Sequence, residues 1–166
     1  MKVGDSISAT TGRFKFVKSW QGQLIEESEW IKNMIMKTDT RGVNLVVRAI
    51  IGDTTYGVEI THAKIGTGTN PVTESDTDLQ TPTVIAGGPL HSIARGDESI
   101  VSINIAHLEF FISDADLANG TYSEWALFVG TEGVDEKMFA RALISPTYAK
   151  ATNQDTTVVH EITLNN

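Results

Sequence analysis

The residues able to carry chemistry are few, and each set lacks something its chemistry needs. Ile65-Gly66-Thr67-Gly68-Thr69 is glycine-rich. A phosphate loop sets its glycines between a strand and a helix whose N-terminus faces the anion. Here Asn70-Pro71 and further turn residues follow, with no third glycine at dinucleotide spacing and no Gly-Lys-Ser/Thr. A strand-ending turn is therefore expected. Asp114-Ala115-Asp116, with Gly120 and Glu124 beyond, has the opening of a calcium loop. Such a loop needs a glycine at its sixth position, and Asn119 stands there, so a solvated hairpin turn is expected instead. His62, His91, His107 and His160 include no pair at metal-ligand spacing. His160 lies between Val158 and Ile162 on one strand face, the place of a core or interface imidazole. No serine sits in a Gly-x-Ser-x-Gly turn. No two carboxylates stand out as a glycosidase pair, and Glu26, Glu27 and Glu29 read as a solvated acidic run. The absence of cysteine removes disulfides, thiolate metal sites and thiol nucleophiles. The expectation is a chain with no catalytic residues, no metal and no cofactor, and so not an enzyme.

The remaining residues of note suit contact rather than catalysis. Phe14, Lys15, Phe16, Lys18 and Trp20 interleave aromatic and basic side chains in a chain that is otherwise acidic. Aromatic and basic anchors dominate many interfaces. Trp30 and Trp125 complete the candidate interface set. Trp125 and Phe128 point to opposite faces of one strand; core on both faces, or core on one and a neighbouring subunit on the other, both stay open. Residues 1–32 are assigned to an N-terminal extension that attaches to a neighbour, with an edge strand of its own domain as the alternative.

The elements that position these residues follow from periodicity. Phe14 and Phe16 alternate with polar neighbours, as a strand with one apolar face does. Residues 30–36, 57–65, 99–112, 122–129, 138–144 and 156–164 supply further extended segments, with phase slips near His62 and near Ala106-His107 that suggest bulges. Val43, Val46, Val47, Ile50 and Ile51 form one stripe of a helix over 40–51, capped by Asp39 or Thr40 and ended at Gly52. Residues 66–90 read as a long connection, and 66–82 as solvent-facing or interfacial.

The chain has 166 residues, enough for one domain with a core of its own. The expected fold is mostly β: a single antiparallel β-sandwich, jelly-roll-like, over 33–166, with one short α-helix and the 1–32 extension. A net charge of −8 disfavours nucleic acid and anionic membranes. No apolar run approaches the roughly 20 residues of a membrane helix, and MKVGDSISATTG lacks the apolar core of a signal peptide.

The order of segments carries a resemblance. Ile60-Thr61-His62-Ala63-Lys64-Ile65-Gly66-Thr67-Gly68-Thr69 is followed by Asp76-Thr77-Asp78-Leu79, then by Asn119-Gly120-Thr121-Tyr122-Ser123-Glu124-Trp125-Ala126-Leu127-Phe128. Phe139-Ala140-Arg141-Ala142, Ser145-Pro146, Lys150 and a final alternating strand close the pattern. Over roughly residues 33–164 this resembles small β-sandwich structural proteins of tailed bacteriophages, found as tail-fibre or collar-type modules and as capsid-associated subunits. Trp125-Ala126-Leu127-Phe128 departs from the Gly-Leu-Phe expected there, and the first 32 residues are extra. The resemblance implies a virion component assembled in the host cytoplasm. Its leading form is a capsid decoration or cement protein on the major capsid protein; the edge strands of a small sandwich, and strands apolar on both faces, lead to the further expectation of a homo-oligomer, with a trimer favoured. A tail component (fibre, collar or baseplate) and a receptor- or carbohydrate-binding module are the alternatives.

Overall fold

The computed structural model describes residues 10–88 and 90–164. The strands are β1 (Thr11–Trp20), β2 (Gln23–Glu27), β3 (Ile31–Ile35), β4 (Ile60–Gly66), β5 (Ile93–Ala94), β6 (Glu98–Ser102), β7 (Ile105–Ile112), β8 (Gly120–Val129), β9 (Lys137–Lys150) and β10 (Asp155–Thr163), with one helix, α1 (Val43–Ile50), after β3. The fold is mostly β, as the alternation patterns predict. The strands run antiparallel in the order β5-β4-β8-β9-β3-β1-β10-β7-β6, with β2 on β1. This one sheet curls into a half-barrel. β3 keeps it continuous: Ile31–Asn33 pair with β1, while Met34 and Ile35 pair with β9. The two layers that a sandwich keeps separate are thus joined through one strand. After β5, the Gly96 amide donates to the Glu109 carbonyl (2.8 Å) and the Glu109 amide to the Asp97 carbonyl (2.9 Å), so the chain reaches from β4 across to β7.

β1 corrects the expected domain boundary. It lies inside the sheet, paired with β10 from Thr11↔Thr163 to Ser19↔Asp155, and a cut at 32/33 would fall within β3. Residues 11–32 are therefore part of the folded domain; residues 1–9 of the assigned extension lie outside the described residues. Period-2 alternation reports which face of a strand is buried and says nothing of its neighbours. The partner of β1 comes from the other end of the chain.

The core forms between the two halves of the sheet. Phe14 and Phe16 of β1 and Phe110 of β7 meet Trp125 of β8 and Tyr148 of β9, with ring centroids 4.2 Å apart for Phe16–Tyr148, 5.7 Å for Phe110–Trp125 and 6.1 Å for Phe14–Trp125. Each such side chain contributes about 1.5–3 kcal/mol by leaving water, and aromatic pairing adds about 0.5–1.5 kcal/mol. His160 lies in this core, stacked 5.7 Å from Phe14. Burial pushes its imidazole down to about 3, so it is neutral, and the Asn33 amide donates to its Nε2 (3.0 Å).

Three local readings change. The helix starts at Gly42 with no side-chain cap, not at Asp39 or Thr40; Asp39 instead pairs with Arg48 (2.7 Å). Gly52 takes the expected left-handed conformation (φ 77°). Only part of the apolar stripe is covered: Val43 and Val46 are half-buried, Val47, Ile50 and Ile51 are exposed, and the residue the helix buries is Leu45, outside the predicted stripe. The phase slip near Ala106 is a hairpin turn, with Ser102 opposite Ile105, whereas the slip near His62 is a bulge. No helix among the described residues is long and apolar enough to cross a membrane.

Candidate functional site

The expected interface residues are mostly committed to the chain itself. Phe14, Phe16 and Trp125 are 0%, 2% and 1% exposed. They offer no surface to a neighbour. On β8, Trp125 packs into the main core while Phe128 packs into a second cluster with Met36, Leu79, Ala126 and Met138, so both faces of that strand are core. The basic residues are neutralised at home. Lys15 pairs with Glu27, Lys18 with Glu26 (2.7 Å) and Arg13 with Glu161 (2.7 Å). Arg13 and Lys15 also sit over the half-buried Trp30 ring, 4.3 and 5.0 Å from its centroid. β2 folds back on β1 through Gln21 and Gly22, both at positive φ (48° and 78°), and this brings the acidic run onto the basic one. Trp20 ends β1, half-buried.

A second constellation, unforeseen in the sequence, lies on the outer face of β4, β8 and β9. The buried Glu124 carboxylate accepts the amides of Gly68 (2.9 Å), Gln80 (3.0 Å) and Thr81 (2.7 Å), and Arg141 donates to it at 2.8 Å. Arg141 also reaches Asp76 (2.5 Å). Residues 67–82 are thereby drawn onto the sheet, and Leu79 is buried beneath them. This stretch is not purely solvent-facing. Gly66 and Gly68 are required here, because a Cβ on either would lie 2.4–2.5 Å from Thr81, Gln80 or Glu124 atoms.

Beside it, buried Lys64 donates to Glu136 (2.7 Å) and to Asp78 (3.3 Å), with Glu132 3.5 Å away. Burial would raise the Glu132 carboxyl, but hydrogen bonds from Ser92 and His91 and the charge of Lys64 outweigh it and hold the group at about 2. The same competition, with His62 and Lys64 as donors, lowers Glu136. Thr61 Oγ1, His62 and Glu136 form a hydroxyl–imidazole–carboxylate series at 2.9 and 2.8 Å. The Thr61 hydroxyl also lies 2.7 Å from the Gly130 carbonyl, to which it donates. Each member ties a turn or loop to the sheet, so the constellation works as a clasp. Among the described residues no group of three or more metal-ligating side chains is placed to hold an ion.

One open surface is apolar. An open cleft of about 480 Å³ lies between α1 and the β7–β10 side of the sheet, and the described residues that line it are apolar, among them Val46, Ile50, Val58, Ala106 and Ile162. A smaller cleft of about 240 Å³ continues from it along the β6–β7 hairpin and shares Ala106 and Ile162. Ile50 and Ile51 are 78% and 76% exposed, and Ile100, Val101 and Ile103 are 83%, 57% and 101% exposed. Contiguous exposed apolar surface marks interaction sites. The sequence did hold a signal for this surface: Ile100 and Val101 are adjacent, so one of the two must face away from any core. Comparison with known proteins found no match, whether to a family model, to a curated protein or to a solved structure.

Proposed function

We propose that this chain is a structural subunit of a tailed-bacteriophage particle, most simply a decoration or cement protein on the outside of the major capsid shell. The observation that carries the proposal is the continuous apolar surface from α1 to the β6–β7 hairpin, on a chain whose net charge is −8. An acidic subunit stays soluble before assembly, and an uncharged face gives it one place to dock. The segment order resembles that of phage structural proteins, and the curled sheet with its two facing halves is read as an opened relative of their jelly-roll-like sandwich. The buried charges are engaged in holding loops, which suits a rigid packing unit. In this reading the subunit reaches the virion by assembly in the host cytoplasm, binds protein rather than nucleic acid or membrane, and packs against its own copies. A tail subunit would use the same surface.

A receptor- or carbohydrate-binding role is the second reading. It is favoured by a cleft of about 380 Å³ between 28–31 and 145–149, with the half-buried Trp30 on its wall and Lys18, Glu26 and Glu27 among its lining residues. Co-sedimentation of the purified chain with particles lacking it separates the two. The proposal expects saturable binding that Ile50→Lys with Ile51→Lys abolishes while the fold is kept. Binding to glycans but not to particles, or particle binding indifferent to those substitutions, overturns it.

A further inference from the structure

The sheet has two ends and one appended edge, and they differ in how they are guarded. Natural sheets blunt their edges by shortness, by charge, by bulges or by covering. β5, at one end, is two residues long. β2, on the side of β1, carries Glu26 and Glu27. β6, at the other end, is guarded only at its start: Glu98 is its one charged residue, Ser99-Ile100-Val101-Ser102 follow uncharged, and one bulge near Val101 bends it. Residues 99–106, SIVSINIA, contain no charged residue, no proline and no glycine. A β-prone, uncharged segment of this kind pairs readily with an identical one.

We infer that β6 is the contact between two copies of this chain, the strands meeting antiparallel about a two-fold axis with the Ile100 side chains of both copies beside it. The inference rests on the reading of the chain as a self-packing subunit and names the surface involved. Charge selects the surface and the orientation, and the uncharged, β-prone sequence of the segment selects an identical strand as partner. Two copies of net charge −8 repel, so a homotypic contact is favoured where the surface is uncharged. Asp97 and Glu98 stand at the start of β6 and Ile103 just beyond its end. Antiparallel pairing places the acidic end of each strand beside the apolar end of the other, whereas parallel pairing would set Glu98 against Glu98. The contact is isologous and closes as a dimer. It consumes both β6 edges, and the two-residue β5 at each far end is too short to propagate a sheet. Ile100 also lines the smaller apolar cleft, so pairing extends the apolar face of each copy across the axis.

The absence of cysteine permits a direct test. In the full chain, Ile100→Cys is expected to give a disulfide-linked dimer on mild oxidation, whereas Val84→Cys, exposed on a distant loop, is not. Sedimentation is expected to show a wild-type dimer at micromolar concentration that Ile100→Lys converts to monomer, with the thermal midpoint of the fold unchanged because Ile100 is exposed. A wild-type monomer, a trimer, or a dimer that persists in Ile100→Lys overturns the inference. These outcomes are independent of particle binding. Particle-bound monomers would leave the phage reading standing and remove this contact; a β6 dimer indifferent to particles would do the reverse.

Discussion

Phe14→Ala distinguishes a strand inside the fold from an attachment arm laid on it. Phe14 is fully buried, with Phe16 at 5.7 Å, Trp125 at 6.1 Å and His160 at 5.7 Å around its ring. Truncating a buried Phe to Ala costs about 3–5 kcal/mol, the sum of lost transfer energy and the cavity left behind. That is a large share of a total stability of about 5–15 kcal/mol. At about 2–4 °C per kcal/mol for a domain of this size, the thermal midpoint is expected to fall by roughly 6–20 °C. Arg13→Ala, one residue away, removes an ion pair whose arginine side chain is half-exposed, and its expected cost is below about 1 kcal/mol. Urea and thermal unfolding followed by tryptophan fluorescence measure both. A loss under about 1 kcal/mol for Phe14→Ala would refute the placement of β1 between β3 and β10. Deletion of residues 1–22 extends the same logic: it removes an interior strand and is expected to leave no cooperatively folded domain.

Two further predictions concern the buried polar groups. Glu124→Gln keeps the shape but leaves one oxygen where two accept, so a buried donor loses its acceptor and Arg141 loses a charged partner; the expected cost is about 3–5 kcal/mol, with faster proteolytic cleavage inside 67–82, and equal cleavage rates would count against the clasp. His160 takes a proton near 6.5 when unfolded but only at about 3 when folded. The unfolded state therefore binds more protons between these values, and stability falls as pH drops from 6.5 towards 3 and is unaffected by this group above 6.5. Between pH 6.5 and 4.5 the loss from this residue is about 2 kcal/mol, in a window above the range where Glu132 titrates. His160→Gln should flatten the stability profile over that window, and an unchanged slope would show that the imidazole is not held neutral by burial.

What the sequence made legible follows from where each cause lies. Alternation at Phe14 and Phe16, the helical stripe from Val43, the left-handed Gly52 and the bulge near His62 are local, and each was readable. The pairing of β1 with β10, the recruitment of Glu26 and Glu27 to Lys18 and Lys15, and the short β5 depend on residues distant in sequence or on an unrecognised turn. The clasp was hidden for a related reason. Lys64, Glu124 and Arg141 alternate with apolar residues as solvent-facing positions do, yet the 67–82 segment covers that face and buries them. A polar residue on a strand reports which face it occupies, and only the rest of the chain decides whether that face is wet. The exposed stripe on α1 is the converse case: Ile50 and Ile51 satisfy the core pattern, yet no described residue packs over them.

The proposed role is tested most directly by an electron cryomicroscopy map of the intact particle. The account predicts density for this half-barrel on the outside of the capsid shell, with α1 and the groove beside it turned into the contact and the 67–82 face turned outward. A particle without this subunit, or a subunit whose apolar groove faces solvent, would contradict it.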